Sequence, residues 1–361
     1  MVRGIGAVRL QALLDFFGDP EIAWRAPAEG LLNAGLSQKI VDNLVRLRSG
    51  LDLEKVMERL EKAGISVFTR LDEPYPRLLK EIDQPPPVIY VRGEILPEDD
   101  FAVAVVGTRR VTVYGRQIAE EVGIYLAQNG ITVVSGLARG VDAIAHEAAI
   151  KGGGRTFAVL GCGVDRIYPP ENQHLAAQII ERGALISDYA PGTPPDAINF
   201  PPRNRIISGL SLATVVIEAG ETSGALITAT FAAEQGREVL AVPGNIHGPQ
   251  SKGTNRLIQQ GASSMLRVED ILDAIKLDQV QARQEARTLL PVDAVEASIL
   301  ALMSAEPLHI DEVQAQSGLS IDKVSATLTI LELKGMVRQV GGMNYISVRE
   351  TEIPYWTDEH A

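Results

Sequence analysis

The chain has 361 residues, a formal charge of −12, one cysteine (Cys162) and five widely separated histidines. It has length for two or three domains, cannot close an internal disulfide and shows no metal-ligand spacing. No signal peptide and no run of about 18 apolar residues is present, so a cytoplasmic protein without a membrane partner is expected.

The acidity argues against a nucleic-acid partner until it is located along the chain. Residues 1–95 hold 13 basic and 14 acidic side chains, 96–276 hold 15 and 19, and 277–361 hold 6 and 13. The excess therefore sits towards the C-terminus, and a local basic groove in the middle stays possible.

Residues 1–70 read as a helical domain. Two segments echo each other, GIGAVRLQALLDFFG from Gly4 and NAGLSQKIVDNLVRLRSG around Gly35, each setting a glycine turn before an amphipathic helix. That arrangement is similar to a helix-hairpin-helix, which holds DNA backbone through turn N–H groups, although such turns are common in any small bundle. Residues 71–97 carry Pro74, Pro76, Pro85, Pro86, Pro87 and Pro97 around Leu78-Leu79 and the apolar stretch 88–91, the pattern of a packed connector.

From Phe101 to about Ile275 short β-branched runs alternate with amphipathic helices. Strands are predicted at 101–106, 131–135, 155–160, 184–187, 213–218 and 237–242, with helices at 115–128, 142–150, 171–181 and 225–235. This alternation predicts right-handed βαβ units and an extended Rossmann-like, mostly parallel sheet. Ligands of such sheets bind outside the carboxyl ends of the strands.

Five of those ends are rich in glycine: Gly107-Thr108-Arg109-Arg110, Ser135-Gly136-Leu137-Ala138-Arg139-Gly140, Gly161-Cys162-Gly163, Gly220 to Gly224, and Pro243-Gly244-Asn245. Glycine admits close approach of backbone to a ligand, and arginine meets phosphate bidentately. Into the same edge runs NFPPRNRIISGL, which offers the Phe200 ring and the Arg203 and Arg205 guanidiniums. Phe200, lying before Pro201, is expected on an extended loop rather than inside a helix. A core Phe200 with solvent-facing arginines is equally compatible with this segment alone. Neither GxGxxG, a P-loop nor a GxSxG elbow is present, and Asp142 with His146 is read as capping and orienting its helix and loop.

Residues 277–290 read as a helical linker, 291–349 as a winged helix and 350–361 as a tail. The winged helix is expected as helices 293–303, 310–317 and 321–334 followed by a hairpin through Gly341-Gly342. Its would-be recognition helix sets only Lys323 and Lys334 against Asp322 and Glu332, so protein contact fits it better than DNA reading.

GTRR at 107–110, SGLARGVDAIAH at 135–146, FPPRNRIISGLS at 200–211, EAGETSGALITA at 218–229 and AVPGNIHGPQSKGTNRLIQQGA at 241–262 together resemble the DNA-processing protein A (DprA or Smf) family. The resemblance implies a non-enzymatic, cofactor-free protein that binds single-stranded DNA, self-associates as a homodimer and helps load the RecA recombinase during natural transformation. By the family's motifs, strand contacts fall on Arg109, Phe200, Arg203 and Arg205. Reading the neighbouring turns with them adds Gly107, Thr108, Arg110, Ser135, Gly136, Arg139, Asn204, Ser223 and Gly224. The lysine that the family often has shortly before the phenylalanine is missing from Asp196-Ala197-Ile198-Asn199. The alternative is a nucleoside-monophosphate-cleaving enzyme of the lysine-decarboxylase-like group, whose PGGxGTxxE motif is replaced here by Glu218 to Ala225.

Overall fold

The computed structural model describes residues 4–275, 294–303, 307–333 and 337–347. They fall into two compact units that divide at Ile275 and Lys276. In the first, helices α1 (Ala7–Phe17), α2 (Pro20–Arg25), α3 (Ala28–Asn33), α4 (Gln38–Gly50) and α5 (Leu53–Lys62) precede strand β1 (Ser66–Thr69). Then come α6 (Arg77–Lys80), β2 (Val88–Gly93), β3 (Ala102–Val106), α7 (Val113–Gln128), β4 (Thr132–Ser135), α8 (Val141–Lys151), β5 (Thr156–Val159), α9 (Gln173–Arg182) and β6 (Gly183–Ser187). The unit closes with α10 (Phe200–Gly209), β7 (Ala213–Val216), α11 (Gly224–Glu234), β8 (Glu238–Ala241), α12 (Lys252–Gln259), β9 (Ser263–Ser264) and α13 (Asp270–Ile275).

One nine-stranded sheet has the order β1-β2-β6-β5-β4-β3-β7-β8-β9. β3 to β9 run parallel, and β1 and β2 add an antiparallel edge. The central strands are buried at every position, as expected of near-continuous Val/Ala runs covered on both faces. The chain goes outward from β3 through β4, β5 and β6, then crosses back to β7 on the other side of β3. That reversal opens a crevice at the carboxyl end of the sheet.

All six predicted strands are present. Residues 66–69, expected helical, instead form β1, and the proline-rich 71–97 segment contributes β2. β1 is a four-residue, half-buried edge strand, too short for alternation to show. The connector packs as expected: Leu78 and Leu79 are buried, and Tyr75 donates its hydroxyl proton to Pro86 O at 2.6 Å. Gly4 and Gly35, at the echoing N-terminal turns, both adopt positive φ (100° and 87°).

In the second unit α14 (Ala294–Leu302), β10 (Leu308–His309), α15 (Ile310–Ser317), α16 (Ile321–Leu333), β11 (Val337–Gly341) and β12 (Asn344–Ser347) form the winged helix around Ile299, Val313, Val324 and Leu328. The expected linker 277–290, tail 350–361 and Lys334 lie outside the described residues.

Asp142 and His146 hold the α8 region together. Asp142 accepts the N–H groups of Gly136 (3.1 Å) and Ala138 (3.3 Å). The hydroxyl of Thr156 donates to Val133 O at 2.8 Å, so it accepts from His146 Nδ1 at 2.6 Å, and Nε2 is left buried without a partner among the described residues. A proton there would find no acceptor, and burial holds the His146 pKa down to about 3 from 6.5. Between those values the unfolded chain binds a proton that the folded one refuses. This residue's contribution is therefore complete above the unfolded pKa and lost as pH falls, at up to about 1.4 kcal/mol per pH unit. Thermal melts from neutral pH to about pH 4 should show a falling midpoint, and His146→Gln should flatten part of that fall.

Candidate nucleic-acid interface

The crevice, of about 690 Å³, is lined by Gly107 to Arg110, by Ala138 and Asp142, by the start of α10 and by the turn that opens α11. Three of the five glycine turns therefore reach it. The Gly161 turn lies beneath, and the Pro243 turn is elsewhere.

Arg109 and Arg110 are exposed, and among the described residues neither guanidinium makes an ion pair or hydrogen bond. Their turn is held from below by Glu218, a buried side chain that follows the end of β7 by two residues. Its carbonyl accepts Thr108 N at 2.7 Å, and its carboxylate accepts Thr112 N at 2.9 Å and Thr112 Oγ1 at 2.6 Å. Gly115 lies so close that a Cβ there would collide with this carboxylate. α7's N-terminus is thus occupied by a protein anion, and the two arginines carry the open positive charge at this turn.

Phe200 is the first residue of α10, with φ −71° and ψ −44°, and not on an extended loop. A 3-10 turn at Ala197–Asn199, capped by Asp196, delivers the chain in helical conformation, and Pro201 and Pro202 fall in the first turn where no N–H is needed. These constraints override the pre-proline bias. The ring is half-buried: it lies over Gly161, where a Cβ would come within 2.8 Å of it.

Helical spacing then separates the residues of the FPPRNR segment. Arg203 is 5 % exposed and lies under the crevice, donating to the carbonyls of Gly136 (3.1 Å) and Val159 at the ends of β4 and β5. Burial lowers its pKa, opposed by the negative charge of Asp142. Asn204 donates to Gly224 O at 3.3 Å and lines the crevice. Arg205 points elsewhere, into an ion pair with Asp188 (2.9 Å) and a bond to Gln84 O.

Of the other expected residues, Gly107, Thr108, Ser223 and Gly224 line the crevice. Ser135 is fully buried, donating to Val105 O at 2.6 Å. Gly136 is buried between Arg203 and Asp142, where a Cβ would meet both within 3.0 Å. Arg139 sits at the edge in an ion pair with Glu171.

Sequence reasoning missed two residues. Glu218 looked like the tail of a strand. Tyr168, 41 % exposed, has its ring centroid 5.6 Å from that of Phe200 and widens the aromatic surface. Its signal was present, since Tyr168-Pro169-Pro170 repeats the aromatic-Pro-Pro order of Phe200-Pro201-Pro202. Cys162 is buried with its thiol pushed up to about 11, which makes it a poor nucleophile.

Residues 66–276 match the family model described as DNA recombination-mediator protein A. The chain belongs to that family. Residues 283–343 match the family's winged helix domain. Protein Smf of Synechocystis is 36 % identical, with 95 % of this chain and 96 % of that protein covered; Smf of Escherichia coli K12 is 34 % identical with 95 % of each. Among solved structures, DNA processing protein A of Streptococcus pneumoniae superposes with TM-score 0.66 at 33 % identity, covering 75 % of this chain and 93 % of that one. The Helicobacter pylori protein, solved for its single-stranded DNA binding mode, gives 0.53 at 29 %, covering 59 % and 96 %.

The Glu218 anchor can be tested without DNA. Glu218→Ala should cost about 2–3 kcal/mol by stranding the donors of Thr112, and Gly115→Ala a similar amount by driving a methyl into the carboxylate. The double variant should cost less than the sum, because the clash partner is gone. Denaturant titrations of the three variants measure the coupling, and strict additivity would contradict the contact.

Proposed function

We propose that this protein binds single-stranded DNA along the crevice and helps load the RecA recombinase onto it during natural transformation, without catalysing a reaction. Arg109 and Arg110 hold backbone phosphates while Phe200, extended by Tyr168, offers a stacking face that tolerates any base. The observation that carries this reading is the pair of unpartnered guanidiniums on a rigidly anchored turn beside a half-exposed aromatic platform. Arg203 serves the same site from beneath, fixing the ends of β4 and β5. RecA loading, a homodimeric state and a cytoplasmic location rest on family membership. In the described residues no helix is long and apolar enough to cross a membrane.

The enzyme alternative is weaker. The final glutamate of that group's motif is missing from Glu218 to Ala225, and the buried carboxylates at the crevice are occupied: Glu218 by Thr112, Asp142 by Gly136 and Ala138. The winged helix is assigned to protein contact. Its α16 carries Lys323 beside Asp322, and Ile321 and Ile330 are exposed along it.

Arg109→Ala should weaken binding to all sequences alike and make the salt dependence shallower by about 0.7 in slope, the increment for one phosphate on a single strand. Phe200→Ala should leave the slope in place and cost about 1–3 kcal/mol in binding. Affinities at several salt concentrations, taken with melting temperatures, separate the two; an unchanged affinity in folded Arg109→Ala would refute the site. Deleting residues from Pro291 onward removes a net-acidic segment and should leave strand affinity within a few-fold, as measured by gel shift on single- and double-stranded DNA. A loss of a hundredfold would place strand contacts in the winged helix.

A further inference from the structure

A second cavity, of about 670 Å³, lies between the N-terminal helices and the end of the sheet formed by β6 and β2. Trp24 lines it on the helical side and Tyr90 and Tyr189 on the sheet side. At its border Asp188 accepts from Arg205 at 2.9 Å through Oδ2, while Oδ1 is buried without a hydrogen-bond partner among the described residues. An unpaired buried carboxylate oxygen calls for a donor. That oxygen is sealed off from the cleft, and the Arg205 charge balances the carboxylate, so what the cleft itself suits is a flat, apolar group laid against Trp24, Tyr90 and Tyr189.

The position of this cavity says what supplies such a group. Both cavities open at the carboxyl end of the parallel strands, and the first turn of α10 is their common wall: Pro201 and Arg203 line the crevice, Pro202 and Arg205 line the second cleft. A strand leaving Phe200 over the two prolines reaches the cleft next. Every nucleobase has a flat aromatic face to lay against such rings. We infer that the cleft bounded by Trp24, Tyr189 and Asp188 is a second base-binding site, taking a further base of the strand held at the crevice. The inference rests on the single-strand reading of the crevice and adds to it a role for the N-terminal helices.

Trp24 supplies the test. In the full chain carrying Trp356→Phe it is the sole tryptophan, and its emission can be followed with single strands of about 4 and about 16 nucleotides, the range of known site sizes. The longer strand should quench Trp24 and the shorter should not. Trp24→Ala should lower affinity for the longer strand by about fivefold or more, as expected for losing one stacked base, with no change for the shorter. Val8→Glu, at a lining position that is 69 % exposed, should give the same length-dependent loss without disturbing the helical core. Trp24 emission that stays constant while anisotropy shows the longer strand bound would overturn the inference and leave the crevice intact. So would losses equal for both lengths. A wild-type chain that binds neither strand would overturn the crevice reading, and this inference with it.

Discussion

The crevice depends on one buried cation. Arg203 is nine-tenths hidden, and its guanidinium holds the carbonyls at the ends of two neighbouring parallel strands, β4 and β5, at residues that are themselves buried. Asp142 sits across Gly136 and takes the N–H groups of the same turn. The two charges thus close the polar groups of the β4–α8 turn from opposite sides, and a Cβ on the intervening Gly136 would press on both. A buried charge of this kind is costly unless its hydrogen bonds are complete, so both partners and the turn between them are mutually required. Removing either leaves the other as an unpaired charge under the site.

Glu218 plays the matching part on the other side of β3. It follows the end of β7 by two residues, and its main chain and side chain together fix the turn bearing Arg109 and Arg110. The edge of the crevice is therefore built in two tiers. Buried charges hold the turns from below, and exposed arginines and rings work from above. Orientation is set before any ligand arrives, which reduces the entropy lost when a flexible strand is ordered.

The sheet was legible from sequence because its strands are buried on both faces and punctuated by glycine turns. The run 213–218 extends two residues beyond the strand, since Ile217 continues the apolar pattern and Glu218 is buried behind it while both already serve the turn. β1 and β9 escaped notice because a four-residue half-buried edge and a two-serine strand carry no periodicity. The site was less legible, for a reason that starts at Phe200. Read as an extended loop with period two, the segment puts Arg203 and Arg205 on one side. Wound as a helix, it sets them about 200° apart, one under the crevice and the other against Asp188. A local propensity rule was outweighed by a preceding 3-10 turn and a glycine seat for the ring, and the segment's periodicity followed the backbone.

How a chain of net charge −12 can hold a polyanion follows from which cations are paired. Arg139 is spent on Glu171, Arg155 on Asp99, Arg205 on Asp188 and Arg237 on Glu81. Arg203 is turned onto backbone carbonyls. What distinguishes Arg109 and Arg110 is that their anchor, Glu218, is engaged by Thr112 and shielded from them, so their charge is left whole at the rim. Of the three cations that line the crevice, Arg203 is buried on carbonyls, and Arg109 and Arg110 are the exposed pair. On the proposed reading, stacking on Phe200 and Tyr168 adds a share of binding that is insensitive to salt. Net charge describes the whole chain, whereas the field at the crevice is set by the cations that line it.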